Sequence, residues 1–194
     1  MKKWRFDFRI WHWIHAAVVL GLLGTVFLRK TFLSWKTNSE LLSSKLTEMD
    51  ISITSEQAKV LATSIRSPMW EWHILLGYAL VVLLLWRIIL FFTKSGSANY
   101  KNFKAKTLHK KLVTVGYIGI YGTLFIMALS GLSLTFHESL ALSKELTHTI
   151  KEVHEWLFNL VLLFVVLHVT GVVIAETRDE AGIISDMIHG KNMA

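Results

Sequence analysis

Several histidines lie in or beside long apolar runs of the sequence, where ionisable side chains are rare and usually functional. Two of them, His154 and His168, belong to the single run VHEWLFNLVLLFVVLH and are fourteen residues apart. Fourteen helical residues rise about 21 Å and complete about four turns, so both imidazoles should point the same way near opposite sides of a membrane. One metal ion could not bridge that distance, and the spacing therefore predicts two centres stacked across a bilayer.

Each of these histidines needs a partner from another helix. His73 opens the second apolar run on the side of His154, and we call these two residues the outer pair. His12 and His15 open the first run on the side of His168. Depth alone slightly favours His15, and both remain candidates at this point. Opposed imidazoles suit the two axial positions of a haem iron, and with both positions filled the chemistry is one-electron transfer.

Other uses of these histidines must be considered. A single histidine at a helix end is usually an interfacial residue, and membrane histidines also serve proton relays and metal-ion transport. The acidic residues of the apolar runs are confined to helix starts, at Glu71 and Glu155. Four histidines at matched depths, with so few acidic residues, favour haem ligation over transport.

Arg87 is a cation within the second apolar run, fourteen residues after His73 and so on nearly the same face. Its side chain could extend to the inner membrane surface. Alternatively, it could pair with a propionate of the inner haem. Nearby, the glycines of the third run leave room for close helix packing or for a flat macrocycle; they are Gly116, Gly119, Gly122 and Gly131.

The composition and the apolar runs indicate that membrane helices position these residues. The chain has 194 residues, 53% of them hydrophobic, and no cysteine, which excludes disulfides, iron–sulfur ligation and a c-type haem. Four apolar runs reach the roughly 20 residues that cross a bilayer, and none alternates as a barrel strand does. We expect an all-α membrane protein, a bundle of four transmembrane helices in one domain over 1–194; the helices cover about 10–28, 72–92, 112–136 and 153–175.

The distribution of Lys and Arg predicts the orientation of the helices in the membrane. Cations precede the first run, separate the second from the third, and follow the fourth, so both termini should be cytoplasmic. These cations are Lys2, Lys3, Arg5 and Arg9; Lys94, Lys101, Lys104, Lys106, Lys110 and Lys111; and Arg178 and Lys191. The net charge of +7 follows from this asymmetry, and we do not expect nucleic-acid binding.

The long outer loop, residues 29–69, contains a candidate for a short amphipathic helix, ITSEQAKVLATSIRSP. Thr54 and Gln57 match a capping box, and Pro68 is expected to end the helix. Such a helix could lie on the bundle or the membrane surface, or it could dock a periplasmic partner.

Several motifs together resemble the bacterial cytochrome b561 superfamily, which includes the b-type cytochrome subunits of nickel–iron hydrogenases and formate dehydrogenases. They are RIWHW in the first run, His73-x3-Gly77 with Arg87 in the second, HEW-x11-H in the fourth, and the tail ETRDEAGIISDMIHGK. The resemblance implies a dihaem b cytochrome of the inner membrane. It also implies that His12, rather than His15, pairs with His168 for the inner haem, and that His73 and His154 hold the outer haem.

The function implied by the resemblance is electron transfer between a periplasmic-side partner, such as a redox subunit or a cytochrome, and the quinone pool of a respiratory chain. Two rivals are a stand-alone superoxide:quinone oxidoreductase of the same family and a haem-free proton or metal transporter. The first rival requires a basic outer entrance to attract an anion, whereas the outer loop is charge-balanced. The inner side near His168, Glu176 and Arg178 is our initial hypothesis for the quinone site.

Overall fold

The computed structural model describes residues 4–92, 108–178 and 181–190. These residues form helices without any strand: α1 (Phe6–Lys30), α2 (Trp35–Thr47), α3 (Ser55–Phe92), α4 (Leu108–Thr135), α5 (Lys144–Thr177) and α6 (Ile183–His189). Helices α1, α3, α4 and α5 are long and apolar enough to cross a membrane, so the all-α class with four spanning helices is confirmed. Most of the orientation cations lie outside the described residues, namely Lys2, Lys3, Lys94, Lys101, Lys104, Lys106 and Lys191, together with the side chain of Lys110.

The chain divides into two compact units, Val18–Tyr78 on the one hand and residues 1–17 with 79–194 on the other. The first unit contains α2, which the sequence analysis did not predict. Its half-buried residues recur at intervals of three and four, at Trp35, Asn38, Leu42 and Leu46, as on one helix face. The Lys59 ammonium of α3 lies 5.7 Å from the centre of the Trp35 ring.

The capping box of the outer loop is confirmed, but its helix does not end at Pro68. The Thr54 amide donates to Gln57 Oε1 at 2.8 Å, and the Gln57 amide donates to Thr54 Oγ1 at 3.2 Å. From this start α3 continues through Pro68 to Phe92. Proline has no N–H, so the Ser64 carbonyl loses its normal helical donor. The Ser67 hydroxyl replaces that donor, donating to Ser64 O at 2.9 Å.

In the second unit, α4 packs along α5, whose buried residues are Leu157, Phe158 and Val161. Ser143 caps the start of α5, because its hydroxyl accepts from the Leu146 amide at 3.2 Å. Helix α5 therefore begins nine residues before the predicted span at 153, and it carries both His154 and His168 without interruption.

The expected short helix of the tail is present as α6 and is fastened at both ends. The Glu176 carboxylate accepts from the amides of Gly182 at 3.0 Å and Ile184 at 2.9 Å. At the other end, Arg9 Nη2 donates to Ile188 O at 2.9 Å, and Trp13 Nε1 donates to Met187 O at 3.2 Å. Helix α6 thus ties the beginning of α1 to the end of α5, the two segments that carry His12 and His168.

We predict that Ser67 matters only because Pro68 follows it. Ser67→Ala should cost about 0.5–1 kcal/mol of unfolding free energy, since the Ser64 carbonyl then has no donor within the helix. In a Pro68→Ala background the restored backbone N–H should make the same change nearly neutral. Thermal unfolding of the four variants in detergent measures this double-mutant cycle, and equal costs in both backgrounds would contradict it.

Candidate functional site

The histidines of two different helices meet in the second unit. The ring centroids of His12 on α1 and His168 on α5 are 6.3 Å apart, with an angle of 63° between the ring planes. Two metal–nitrogen bonds of about 2.0 Å and two nitrogen-to-centroid distances of about 1.1 Å separate the rings of a linear bis-imidazole site by roughly 6 Å. The spacing of His12 and His168, which we call the inner pair, fits one metal ion ligated from two sides.

The set of donors also restricts the kind of metal. Within the described residues no group of three or more His, Cys, Asp or Glu side chains could hold an ion. Structural and catalytic zinc sites take three or four protein ligands, so two imidazoles alone would hold a bare ion weakly. A haem iron receives four nitrogen ligands from its macrocycle and needs only the two axial ones from the protein. The inner pair therefore fits haem better than a free ion.

His15 is in a different environment from His12. Its imidazole stacks on Trp11, with centroids 4.7 Å apart and planes at 18°. Its Nδ1 is buried and has no hydrogen-bond partner among the described residues. Of the two candidates on α1, it is thus His12 whose ring lies in contact with that of His168.

The ring of His168 is held by aromatic neighbours. Phe164, one turn earlier on α5, stacks on it with centroids 5.6 Å apart and planes at 9°. From α4, the Tyr117 hydroxyl lies 3.4 Å from His168 Nδ1. These contacts limit rotation of the imidazole about its side-chain bonds.

Arg87 ends in an aromatic cage. Its guanidinium carbon lies 5.4 Å from the ring centroids of Phe8 and Trp11 and 5.2 Å from that of Tyr121. Its Nε donates to the Tyr121 hydroxyl at 3.1 Å, whereas its buried Nη1 has no hydrogen-bond partner among the described residues. A guanidinium with one donor still available is suited to bind a carboxylate. Leu84, Ile88, Phe91 and Phe125 continue the apolar lining beside it.

Trp11 fixes the cage between two helices. It is the largest fully buried side chain of the described residues, at 2% exposure. Its indole N–H donates to the Leu83 carbonyl of α3 at 2.7 Å, one turn before Arg87. This bond sets the position of α1 beside α3 just before His12.

The outer-pair histidines each meet a buried hydroxyl within their own unit. In the unit Val18–Tyr78, Thr25 Oγ1 lies 2.7 Å from His73 Nδ1, and the Trp70 ring meets the imidazole edge-on at 5.5 Å. In the other unit, Ser130 Oγ lies 2.8 Å from His154 Nδ1. A Cβ on Gly131 would lie 3.4 Å from His154 Cε1, at van der Waals contact.

The other glycines of α4 are not explained by close helix packing. A Cβ built on Gly116, Gly119 or Gly122 would meet no described atom within 4 Å. The packing interpretation is therefore wrong for these three positions, and the macrocycle interpretation stays a prediction.

Four residues of the site were not predicted from the sequence: Thr25, Ser130, Trp11 and Tyr121. Thr25 and Ser130 lie in apolar runs, where Ser and Thr often hydrogen-bond to a neighbouring helix. Their position in these runs could have indicated a contact with another helix. Which histidine each hydroxyl meets depends on how its helix is rotated, and this cannot be read from spacing along one segment.

In a comparison with protein families, the family model described as prokaryotic cytochrome b561 matches residues 3–190. The same chain has no match among curated proteins or among solved structures.

We predict that Trp11→Phe lowers the unfolding free energy by about 1–2 kcal/mol, because it removes a buried hydrogen bond and part of a buried ring. Trp156→Phe is the matched control, since Trp156 is 62% exposed. Thermal unfolding in detergent compares the two variants. Equal losses of stability would show that the Trp11–Leu83 bond contributes nothing of its own.

Proposed function

Since the chain belongs to the prokaryotic cytochrome b561 family, whose members are b-type haem proteins that transfer electrons across membranes, we propose that it carries electrons between a redox partner and membrane quinone. Two b haems would serve as the carriers, each with two histidine ligands. His12 and His168 ligate the inner haem, and His73 and His154 ligate the outer one. The direction of electron flow follows from the partner.

The observation that carries this proposal is the approach of the inner-pair imidazoles from α1 and α5, with centroids 6.3 Å apart and no third protein ligand in the described chain. That donor set suits the two axial positions of a haem iron. For the outer pair, the support is the position of His154 on the same continuous helix as His168, about 21 Å away along the helix rise.

When bound, a haem with both axial positions filled supplies one-electron chemistry without an open site for oxygen. The protein residues hold, orient and insulate it. Phe164 and Tyr117 restrict the ring of His168. The apolar residues of the four spanning helices exclude water, so that charges are moved in a medium of low dielectric constant.

We assign Arg87 to a propionate of the inner haem. Its guanidinium is half-buried in the cage of Phe8, Trp11 and Tyr121, with Nη1 still available as a donor. A carboxylate there would satisfy this donor and neutralise the buried charge. A side chain extended to the membrane surface would not place its guanidinium among these three rings.

The orientation and the partners complete the proposal. Both termini face the cytoplasm of a bacterium by the positive-inside rule, and the protein lies in the inner membrane. The segment of residues 29–69 then faces the periplasm, where α2 and the first turns of α3 are available to a redox subunit or a cytochrome.

We predict close to two haems b per chain, measured by pyridine haemochrome and by a reduced-minus-oxidised spectrum. His12→Ala, His168→Ala, His73→Ala and His154→Ala should each reduce the haem content towards one, because one axial bond is lost. His15→Ala is the control on the same helix as His12 and should retain both haems.

Two outcomes would overturn this assignment. Purified protein without any haem after haem-replete expression would exclude electron transfer and favour proton or metal transport. Loss of one haem in His15→Ala with full retention in His12→Ala would exchange their roles.

We predict that Arg87→Leu lowers the midpoint potential of one haem, because a nearby positive charge disfavours the ferric state. A unit charge within about 10 Å contributes on the order of 1–2 kcal/mol at an effective dielectric constant of about 20, so the ratio of reduced to oxidised haem should fall about tenfold. Arg87→Lys keeps the charge and should stay near the wild-type potential. Redox titration of both variants decides, and an unchanged potential in Arg87→Leu would refute the propionate contact.

A further inference from the structure

Two buried hydroxyls, Thr25 on α1 and Ser130 on α4, face the imidazoles of the outer pair. We infer that they are positioning residues which fix the tautomer of His73 and His154, keeping the proton on Nδ1 and making Nε2 the unprotonated nitrogen that can ligate a metal. This inference rests on the proposed haem-binding function, and it adds a reason why these two imidazoles are poised as ligands.

The proton count at Thr25 requires this tautomer. The Thr25 hydroxyl lies 2.6 Å from the carbonyl oxygen of Leu22. Two oxygens at that distance repel each other unless a hydrogen lies between them, so the single hydroxyl proton is donated to Leu22 O. Thr25 Oγ1 can then only accept from its second neighbour, His73 Nδ1, at 2.7 Å. The N–H of His73 is thereby placed on Nδ1.

Ser130 repeats the arrangement on a different helix. Its hydroxyl donates to Met127 O at 3.1 Å and lies 2.8 Å from His154 Nδ1. With its proton donated to that carbonyl, the Ser130 hydroxyl can only accept from the imidazole, which selects the Nδ1–H form of His154.

Burial separates these two hydroxyls from ordinary ones. Thr25 is 7% exposed and Ser130 is 9% exposed. Ser133 and Thr31 also donate to their own helices, at Leu129 O and Phe27 O, but Ser133 is only half-buried and Thr31 is exposed. In the inner pair, His12 has no such hydroxyl in the described chain, and the Tyr117 hydroxyl is 3.4 Å from His168 Nδ1. A buried hydroxyl at a short hydrogen-bond distance from Nδ1 is therefore a feature of the outer pair.

An acceptor on Nδ1 also changes the ligand's chemistry. It draws the Nδ1 proton towards itself, which makes Nε2 a stronger electron donor and orients the ring. A stronger donor stabilises ferric over ferrous iron. Thr25 and Ser130 should thus lower the potential of the outer haem relative to the same site without them.

The test uses the full-length protein with haem bound. In Ser130→Ala we expect two haems per chain and an upward shift in the midpoint potential of one of them, so that the ratio of reduced to oxidised haem rises severalfold at a fixed ambient potential. The low-spin ferric signal of that haem should move in electron paramagnetic resonance. Ser130→Thr keeps the hydroxyl and should restore both readouts, and Ser133→Ala is the matched control on the same helix.

Thr25→Val provides an independent and nearly isosteric test, with Thr25→Ser as rescue and Thr31→Val as control. Loss of one haem in Ser130→Ala, with two retained in Ser130→Thr and Ser133→Ala, would also support positioning of the ligand. Two haems with unchanged potential and resonance signal in both Ser130→Ala and Thr25→Val would overturn the inference while leaving the haem assignment intact. A wild-type protein without haem would instead overturn the proposed function.

Discussion

The constraint on which this structure depends is that a polar group in hydrocarbon must find its partner inside the protein. The described chain meets this demand locally in several places. The indole N–H of the buried Trp11 donates to Leu83 O. Thr25 and Ser130 each donate to their own helix and accept from an imidazole. These polar side chains therefore contribute to the stability of the helix packing as well as to the candidate site.

The hydrogen-bond partners of the imidazoles also distinguish the two histidine pairs. The outer-pair imidazoles have short Nδ1 hydrogen bonds to hydroxyls, so their tautomers are set before any ligand arrives. Around the inner pair, aromatic contacts do most of the positioning, and the buried Nη1 of Arg87 has no hydrogen-bond partner in the described chain. This half-buried guanidinium lies beside three rings and is stabilised by cation–π attraction, and a carboxylate would add charge-assisted hydrogen bonds. With two haems bound as proposed, the positive charge of Arg87 would raise the potential of one haem and the hydroxyls would lower that of the other.

Much of the fold could be predicted because membrane helices are specified by length and hydropathy alone. The four spans, the capping box at Thr54 and Gln57, and the tail helix are all present. The errors have local causes. Pro68 was expected to end the helix, because proline lacks the backbone N–H that the helix needs. The adjacent Ser67 hydroxyl instead donates to the Ser64 carbonyl, and the helix continues. Helix α2 was not predicted because its sequence has low hydropathy. The contact between Trp35 and Lys59 joins residues far apart in the chain, so it cannot be read from the local sequence.

By itself, the sequence determined which residues could serve as ligands and how far apart they are along α5, because helical rise and rotation are fixed by the backbone. It left His12 and His15 open from spacing alone, and only the resemblance preferred His12. The tertiary structure decided that the ring of His12 lies against that of His168, that His15 stacks on Trp11, and that Thr25 and Ser130 meet imidazoles. Those contacts depend on how each helix is rotated about its axis against its neighbours. That rotation is set by the packing of many side chains at once, and no interval within a single helix encodes it.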